Sequence, residues 1–484
     1  MINSIQHFCS EGVKNLEKVM MDYSDDMTKI AEMVQGVTKR VTALGVSIIA
    51  EEWESYDELL RKRKSLRSEW YIVRKDETTL LTSLGNVTYH KTLFKNKVTG
   101  EYEYLLDRII GIGKHVRMTE DAEAGMLKEA VQSSYRKGGE NAAITEEGVS
   151  KEAVMNRIHT LQFPKAEAQP EKKSLKYLYI DADEDHVALQ YLNKKGDIKK
   201  PRTNTVMPKL IYVYEGITNE NGRNELVNKK HFGGVYEGGD AIEKLWKEVS
   251  EYIEGSYDTE KLEKIYINGD GAAWIKNGQR FIDKGKFVLD RFHMHKYIIG
   301  ATSHLKDSAE DARSEIYRAI HRKNKKQAGE AFEKILEATQ EGPRKKAVEA
   351  SRDYILGNWS GIMQWVRDKN KEIKCSAEGH VSHIYADRMS SRPLGWSRTG
   401  ADKMSRLRIY ERNGGDMLKL VRFQKKELPA LSGYEEVICS SRQMFASERK
   451  NRNNLGALAD IPVYSIPYTQ IKKIAALKNH IWGL

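Results

Sequence analysis

The sequence predicts an α/β protein whose sheet-forming region is interrupted by a helical segment and preceded by a mainly helical N-terminal region. Three observations carry this expectation. Between residues 175 and 290, apolar runs of strand length alternate with helical patterning. From about 303 to 374 that alternation stops, and the chain becomes helical and highly charged. Before residue 165, amphipathic helical stretches flank one block of strand chemistry.

Taken in order, residues 1–70 show amphipathic helical spacing and end in the basic cluster of "ELLRKRKSLRSEW". Residues 71–115 hold the strand block "TTLLTSLGNVTYHKTLFKNKVTGEYEYLL", where apolar and polar residues alternate and Gly85 and Gly100 mark turns. That is a β-hairpin or small meander. Residues 116–165 return to helices: "TEDAEAGMLKEAVQSSYRKGG", then a second helix capped by Ser150, with Val154, Ile158 and Leu161 on one face. Two such helices suggest a helix-turn-helix, with Lys151 and Arg157 projecting toward DNA. "FPKAEAQPEKKS" is a linker.

From 166 to 302 the order is "LKYLYID", "HVALQYL" and "KLIYVYEG" as strands, "GDAIEKLWKEVSEYIEG" as helix, "KIYINGDG" as strand, then "KFVLD" running into a helix. This order resembles the ribonuclease-H-like fold. Residues 303–374 read as a helical insertion, 375–430 as the last part of the same domain, and 431–484 as a C-terminal region with no motif.

Composition limits the partners. There are 80 basic and 69 acidic residues, a net charge of +11, which points to a polyanion, nucleic acid first. The three cysteines are widely spread and form no Cys-x-x-Cys pair, so neither a disulfide framework nor a zinc knuckle is indicated. The N-terminus lacks the apolar core of a signal peptide, and no apolar run reaches membrane-spanning length. A cytoplasmic protein without membrane contact is expected.

The chemistry lies where strands end in acids. "YLYIDADEDHV" passes from an apolar run into four acids. Clustered carboxylates repel unless a cation is present, and Mg²⁺ or Mn²⁺ is commonly held by a few carboxylates plus substrate phosphates. Asp181, where the apolar run stops, is the ligand candidate; Asp183, two residues on and on the same strand face, is the alternative. "KIYINGDGAAWIK" repeats the pattern with Asp270 between glycines. "FVLDRFHMHKYI" sets Asp290 and His293 at i and i+3, with His295 beyond. "CSAEGHVSHIYADRMSSRP" offers Glu378, with Ser382 and Tyr385 on neighbouring positions and Arg388 and Arg392 placed to hold DNA phosphates. Glu372 competes with Glu378 but lacks the motif that follows it.

These stretches, together with "GHVSHIYADRMSSRPLGWSRTGADKMSRLRIYERNGGD", resemble the DDE transposases, specifically the ISLre-two family of bacterial insertion sequences, which is similar to the Mutator-like transposases. The resemblance implies that Asp181, Asp270 and Glu378 are the Asp-Asp-Glu triad, holding two Mg²⁺ or Mn²⁺ ions. Asp290 and His293 match the C/D-x-x-H signature of Mutator-like relatives. Asp183, Asp290 and His293 are supporting residues, and His295 is a further candidate; for His293 and His295 an ordinary packed histidine is the competing reading. Trp359 and Trp365, near the end of the helical insertion, correspond to a region where related transposases set an aromatic on a flipped base; core packing is the competing reading. The implied activity is cleavage at transposon ends and strand transfer into target DNA. The implied partners are double-stranded DNA and a second copy of the chain, in the nucleoid of a bacterial cell. Two other readings compete: a stand-alone nuclease on the same fold, and a non-catalytic DNA-binding protein derived from a transposase.

Overall fold

The structure is a computed structural model that describes residues 3–168, 170–190, 204–220, 223–368, 381–391 and 395–424. The chain is mixed α/β and divides into two compact units. The first takes the chain to Met126 and adds Arg136–Ser150; the second holds Leu127–Tyr135 and Lys151–Gln424.

In the first unit the helix Ile30–Lys62 packs on a three-stranded antiparallel sheet of β1 (Trp70–Thr82), β2 (Gly85–Asn96) and β3 (Tyr102–Tyr104). Val46, Ile49, Ala50, Trp53 and Tyr56 repeat at helical spacing and meet Leu80, Val87 and Tyr89, of which Val87 and Tyr89 repeat at strand spacing. A buried carboxylate fastens helix to sheet: Asp57 accepts from the Thr92 backbone N–H at 2.8 Å and from its hydroxyl at 2.6 Å. Gly85 turns the hairpin at φ 128°, a region that excludes side chains with a Cβ. The expected hairpin is present, and it starts at Trp70.

The second unit is built on a five-stranded sheet. Its elements are β4 (Tyr177–Glu184), β7 (Lys209–Tyr214), β10 (Lys230–Gly234), β11 (Lys264–Gly269) and β12 (Gly285–Leu289), in the order β10-β7-β4-β11-β12. β7 is antiparallel to both neighbours, and β4, β11 and β12 are parallel. Two short ribbons lie outside it, β5 (Val187–Ala188) with β6 (Thr205–Val206), and β8 (Gly216–Glu220) with β9 (Arg223–Val227). The expected second strand, "HVALQYL", is therefore not a strand of this sheet. Among its described residues, Val187–Ala188 pair with β6 and Leu189 makes an isolated bridge to Trp396. The edge position is taken by β10, whose "KHFGG" carries too little apolar pattern to be read as a strand.

One face of β4, Leu178, Ile180 and Ala182, enters a continuous core with Trp246 and Val249 of the helix Gly239–Ser256. The same core runs into Ile316, Phe332, Ile355 and Ile362. The segment expected to be a separate insertion is helical, as Ala309–His321, Lys325–Glu337, Pro343–Gly357 and Trp359–Arg367. It shares the sheet's core rather than forming its own. Trp359 is buried in that core. No described helix is long and apolar enough to cross a membrane.

The helix-turn-helix expectation does not hold. A further helix, Tyr135–Glu140, and the stretch 141–150 separate Glu120–Gln132 from Lys151–Thr160, where that motif needs a turn of three or four residues. Val154, Ile158 and Leu161 do form the buried face, and the Leu161 carbonyl accepts from Lys403 at 2.7 Å. Lys151 is exposed beside Glu152, at 3.7 Å, and Arg157 is half-buried.

Candidate active site

The second face of the sheet is organised in rows across the strands. The first row is aromatic: Tyr179 stacks on Tyr214 at 5.4 Å and on Tyr266 at 5.5 Å. One step along, Asp181 stands between Tyr212 of β7 and Asn268 of β11. It is fully buried. It accepts hydrogen bonds from the Tyr212 hydroxyl at 2.7 Å, the Tyr214 hydroxyl at 3.1 Å and the Asn268 amide at 2.7 Å. A carboxylate taken out of water is tolerated only with such partners. Asp181 thus ties three strands together from the interior.

One step further, the strands end. Asp183 lies opposite Leu210 of β7, and the register of β4 with β11 carries Asp270 next to it. Burial pushes the Asp183 carboxyl up to about 6; the Asp270 charge adds to this, while the Glu184 backbone N–H, at 2.8 Å, and His293 oppose it. Of the two candidates on this strand, Asp181 is buried with its oxygens committed inside the sheet, whereas Asp183 stands at the strand end beside Asp270. Alternation along a strand puts both on one face, so the sequence could not separate them; depth in the sheet does.

The Asp270 turn is braced on several sides. Its carboxylate accepts from the Ala272 N–H at 2.9 Å. Gly271 sits at φ 91°, and a Cβ there would lie 2.7 Å from the Asn358 side chain. The Tyr354 hydroxyl donates to the Asp270 carbonyl, and the Tyr354 ring stacks on Tyr297 at 3.7 Å. Lys276 donates to Asn358 at 3.1 Å. Tyr354 and Asn358 come from the helical segment, and nothing in their sequence context points to Asp270, more than eighty residues away.

Asp290 follows β12 and caps the helix Arg291–Thr302, accepting from the Phe292 and His293 N–H groups. Its own N–H donates to the Gly269 carbonyl at 2.9 Å, which places it beside the Asp270 strand end. The His293 ring nitrogen Nδ1 is 2.7 Å from Asp290 Oδ2. That bond raises the imidazole pKa against burial, and the charges of Asp290, Asp270 and Asp183 add to it. Adjacent parallel strands β4, β11 and β12 thus deliver Asp183, Asp270 and the Asp290–His293 pair to one end of the sheet.

The other expected residues fall elsewhere. Arg388, expected at DNA phosphates, is buried, with its guanidinium over Trp396 at 4.9 Å and Tyr135 at 5.8 Å. Tyr385 is also buried and donates to the Lys209 carbonyl at 2.9 Å. His295 pairs with Tyr317. Trp365 is half-buried against the core and carries the Arg291 guanidinium at 5.0 Å. Glu372, Glu378 and Arg392 lie outside the described residues. Among the described residues, no three His, Cys, Asp or Glu groups are grouped so as to hold a metal ion.

Comparison with known proteins adds a relationship. Residues 23–427 match the family described as Uncharacterised protein family (UPF0236). A UPF0236 protein of Caldanaerobacter subterraneus subsp. tengcongensis is 36% identical over 456 residues, covering 93% of this chain and 93% of the relative; its name runs over eleven locus designations. A second from the same strain is 36% identical over 449 residues, 91% of this chain and 92% of the relative, and its name runs over four. A UPF0236 protein in the vanSb 3′ region of Streptococcus gallolyticus is 21% identical over 363 residues, 71% of this chain and 75% of the relative.

Proposed function

The chain belongs to the UPF0236 family, and from that premise we propose that it is a DNA transposase of the DDE type, binding the ends of an insertion sequence and performing metal-dependent strand cleavage and transfer. The observation that carries the reading is the placement of Asp183 and Asp270 at the ends of neighbouring parallel strands. The strand order β10-β7-β4-β11-β12, with β7 alone reversed, supports a ribonuclease-H-like catalytic domain. Ligands in open α/β sheets bind at the carboxyl ends of strands. The eleven locus designations of one relative support transposition over a stand-alone nuclease, since a sequence that moves or copies itself leaves such multiplicity.

The residues fit hard divalent cations. Asp183 and Asp270 supply oxygen donors; burial, with the Asp270 charge adding to it, raises the Asp183 carboxyl, and a cation would offset both effects. Glu378 is the proposed third ligand. When bound, Mg²⁺ or Mn²⁺ would activate the attacking oxygen and stabilise the leaving one in an in-line displacement at phosphorus. The chain's own groups do the rest. Asp290 fixes the imidazole through Nδ1 and favours its protonated form, so that Nε2 of His293 would face the phosphate as a donor. Tyr354 holds the Asp270 carbonyl, and Asn358 packs close to Gly271, which supports a fixed position for the Asp270 carboxylate.

The test is cleavage of DNA carrying the element's terminal sequences. Asp183→Asn and Asp270→Asn are expected to bind such ends and not cut them. Full cleavage by either variant would overturn the reading.

A further inference from the structure

Another surface carries partner chemistry, in the first unit and outside the carboxylate site. At the end of the three-stranded sheet, Tyr71 of β1, Lys95 of β2 and Tyr102 of β3 are directly paired across the strands. Residues so paired point to the same face. The opposite face at this end is closed: Trp70 and Phe94 pack with Leu60, Leu66 and Leu105. The Tyr71–Lys95–Tyr102 face is open, with Tyr71 60% exposed and Tyr102 53% exposed. The Lys97 ammonium lies 5.1 Å from the Tyr71 ring centre and the Lys95 ammonium 5.4 Å from the Tyr102 ring centre.

The acids nearby are mostly committed. Asp76 accepts from Arg74 at 2.9 Å and from the Tyr104 hydroxyl at 2.8 Å, and Glu103 pairs with Arg108 at 2.7 Å. Glu69 and Glu101 remain in the adjoining turns. Neither Lys95 nor Lys97 has an acidic partner within ion-pair distance among the described residues; Lys97 donates to the Ser68 carbonyl.

We propose that this face binds an unpaired DNA strand, its bases against Tyr71 and Tyr102 and its phosphates on Lys95 and Lys97. Cross-strand tyrosine–lysine pairs also stabilise a sheet modestly by themselves. That role does not require two tyrosines to stay more than half in water around a shared lysine. Flat exposed rings interleaved with cations match what a single strand offers, a base face beside each phosphate. A duplex hides its base faces and offers the rings nothing to stack on. The choice of DNA as the polyanion rests on the function proposed above, but the surface does not depend on the carboxylates.

The experiment uses the full chain carrying Asp183→Asn, in EDTA, so that binding is read without cutting. Fluorescence anisotropy follows a labelled single-stranded oligonucleotide and the matching duplex across salt concentrations. Tyr71→Ala with Tyr102→Ala should weaken single-strand binding about ten-fold or more and leave duplex binding unchanged. Tyr71→Phe with Tyr102→Phe should bind like the parent. Lys95→Ala and Lys97→Ala should each lower the salt slope by about 0.7. Melting curves confirm that the variants fold. Unchanged single-strand binding in folded alanine variants overturns the inference and leaves the proposed function standing. Equal loss on duplex and single strand overturns the unpaired-strand assignment. Absence of binding to any DNA by the parent chain removes both the inference and the function.

Discussion

Asp181 and Asp183 share one face of β4, two residues apart, and live in different chemistry. Asp181 is sunk among Tyr212, Tyr214 and Asn268, while Asp183 stands at the strand end within reach of the Asp270 charge. The difference separates a carboxylate that holds the sheet together from the one that the proposed function assigns to the metal.

The bracing of the Asp270 turn is testable apart from the carboxylates. Tyr354→Phe keeps the stack on Tyr297 and removes the donor to the Asp270 carbonyl. It should cost about 1 kcal/mol of stability, the net worth of one hydrogen bond. If the turn positions the carboxylate, cleavage should fall by more than the folded fraction falls, with end binding unchanged. Single-turnover cleavage beside urea denaturation checks this; a rate that tracks stability alone would make Tyr354 a packing residue only.

Arg388 should behave as core. Its guanidinium lies over Trp396 and Tyr135, and its Nε approaches the Ala130 carbonyl at 3.4 Å. Arg388→Ala is expected to lower stability by about 1–3 kcal/mol through lost packing and unpaired buried groups. The salt slope of DNA binding should stay at the wild-type value. A slope lowered by about one unit would restore the phosphate contact expected from sequence.

How much could be read in advance follows from what each residue needs. β4, β11 and β12 were legible because each is a short apolar run ended by an acid or a glycine, and buried strands need apolar runs. Asp270 and the Asp290–His293 pair were legible for the same reason, since they stand at the points where those runs stop. β10 was not, because an edge strand reading "KHFGG" is fixed by pairing with β7 rather than by its own pattern. Asp183 was not separable from Asp181, because period two gives both the same face and says nothing of depth. The burial of Arg388 was hidden for the same reason: a basic residue after an acidic motif looks exposed until Tyr135, far away in sequence, is seen beside it.

Asp57 gives a pH signature in the first unit. Burial raises its carboxyl above the ordinary value, although the Thr92 hydroxyl and N–H oppose the shift. A folded-state value above the unfolded one means that the native state holds the proton more tightly. Stability attributable to Asp57 is therefore greatest below the unfolded value and is lost as pH rises through the folded one. Against Asp57→Asn, which does not titrate, the stability difference should move against wild type as pH rises through that window. Denaturation at several pH values measures it; a difference that does not change with pH would contradict the shift.

Metal dependence follows from the oxygen-donor site. Cleavage should require Mg²⁺ or Mn²⁺ and stop in EDTA. Ca²⁺ should support end binding with little cutting, because its larger and looser shell misplaces the reacting oxygens. Cleavage that persists after chelation would remove the metal from the account.

The most direct test of the central claim sets Asp183→Asn beside Asp181→Asn in one cleavage assay on terminal DNA, with melting curves for both. The account predicts that Asp183→Asn folds with wild-type stability, binds ends and does not cut. Asp181→Asn should lose stability, by about 1–3 kcal/mol for a buried network left partly unpaired, and still cut where it is folded. Cleavage by Asp183→Asn at the wild-type rate, with Asp181→Asn folded and inactive, would contradict the account.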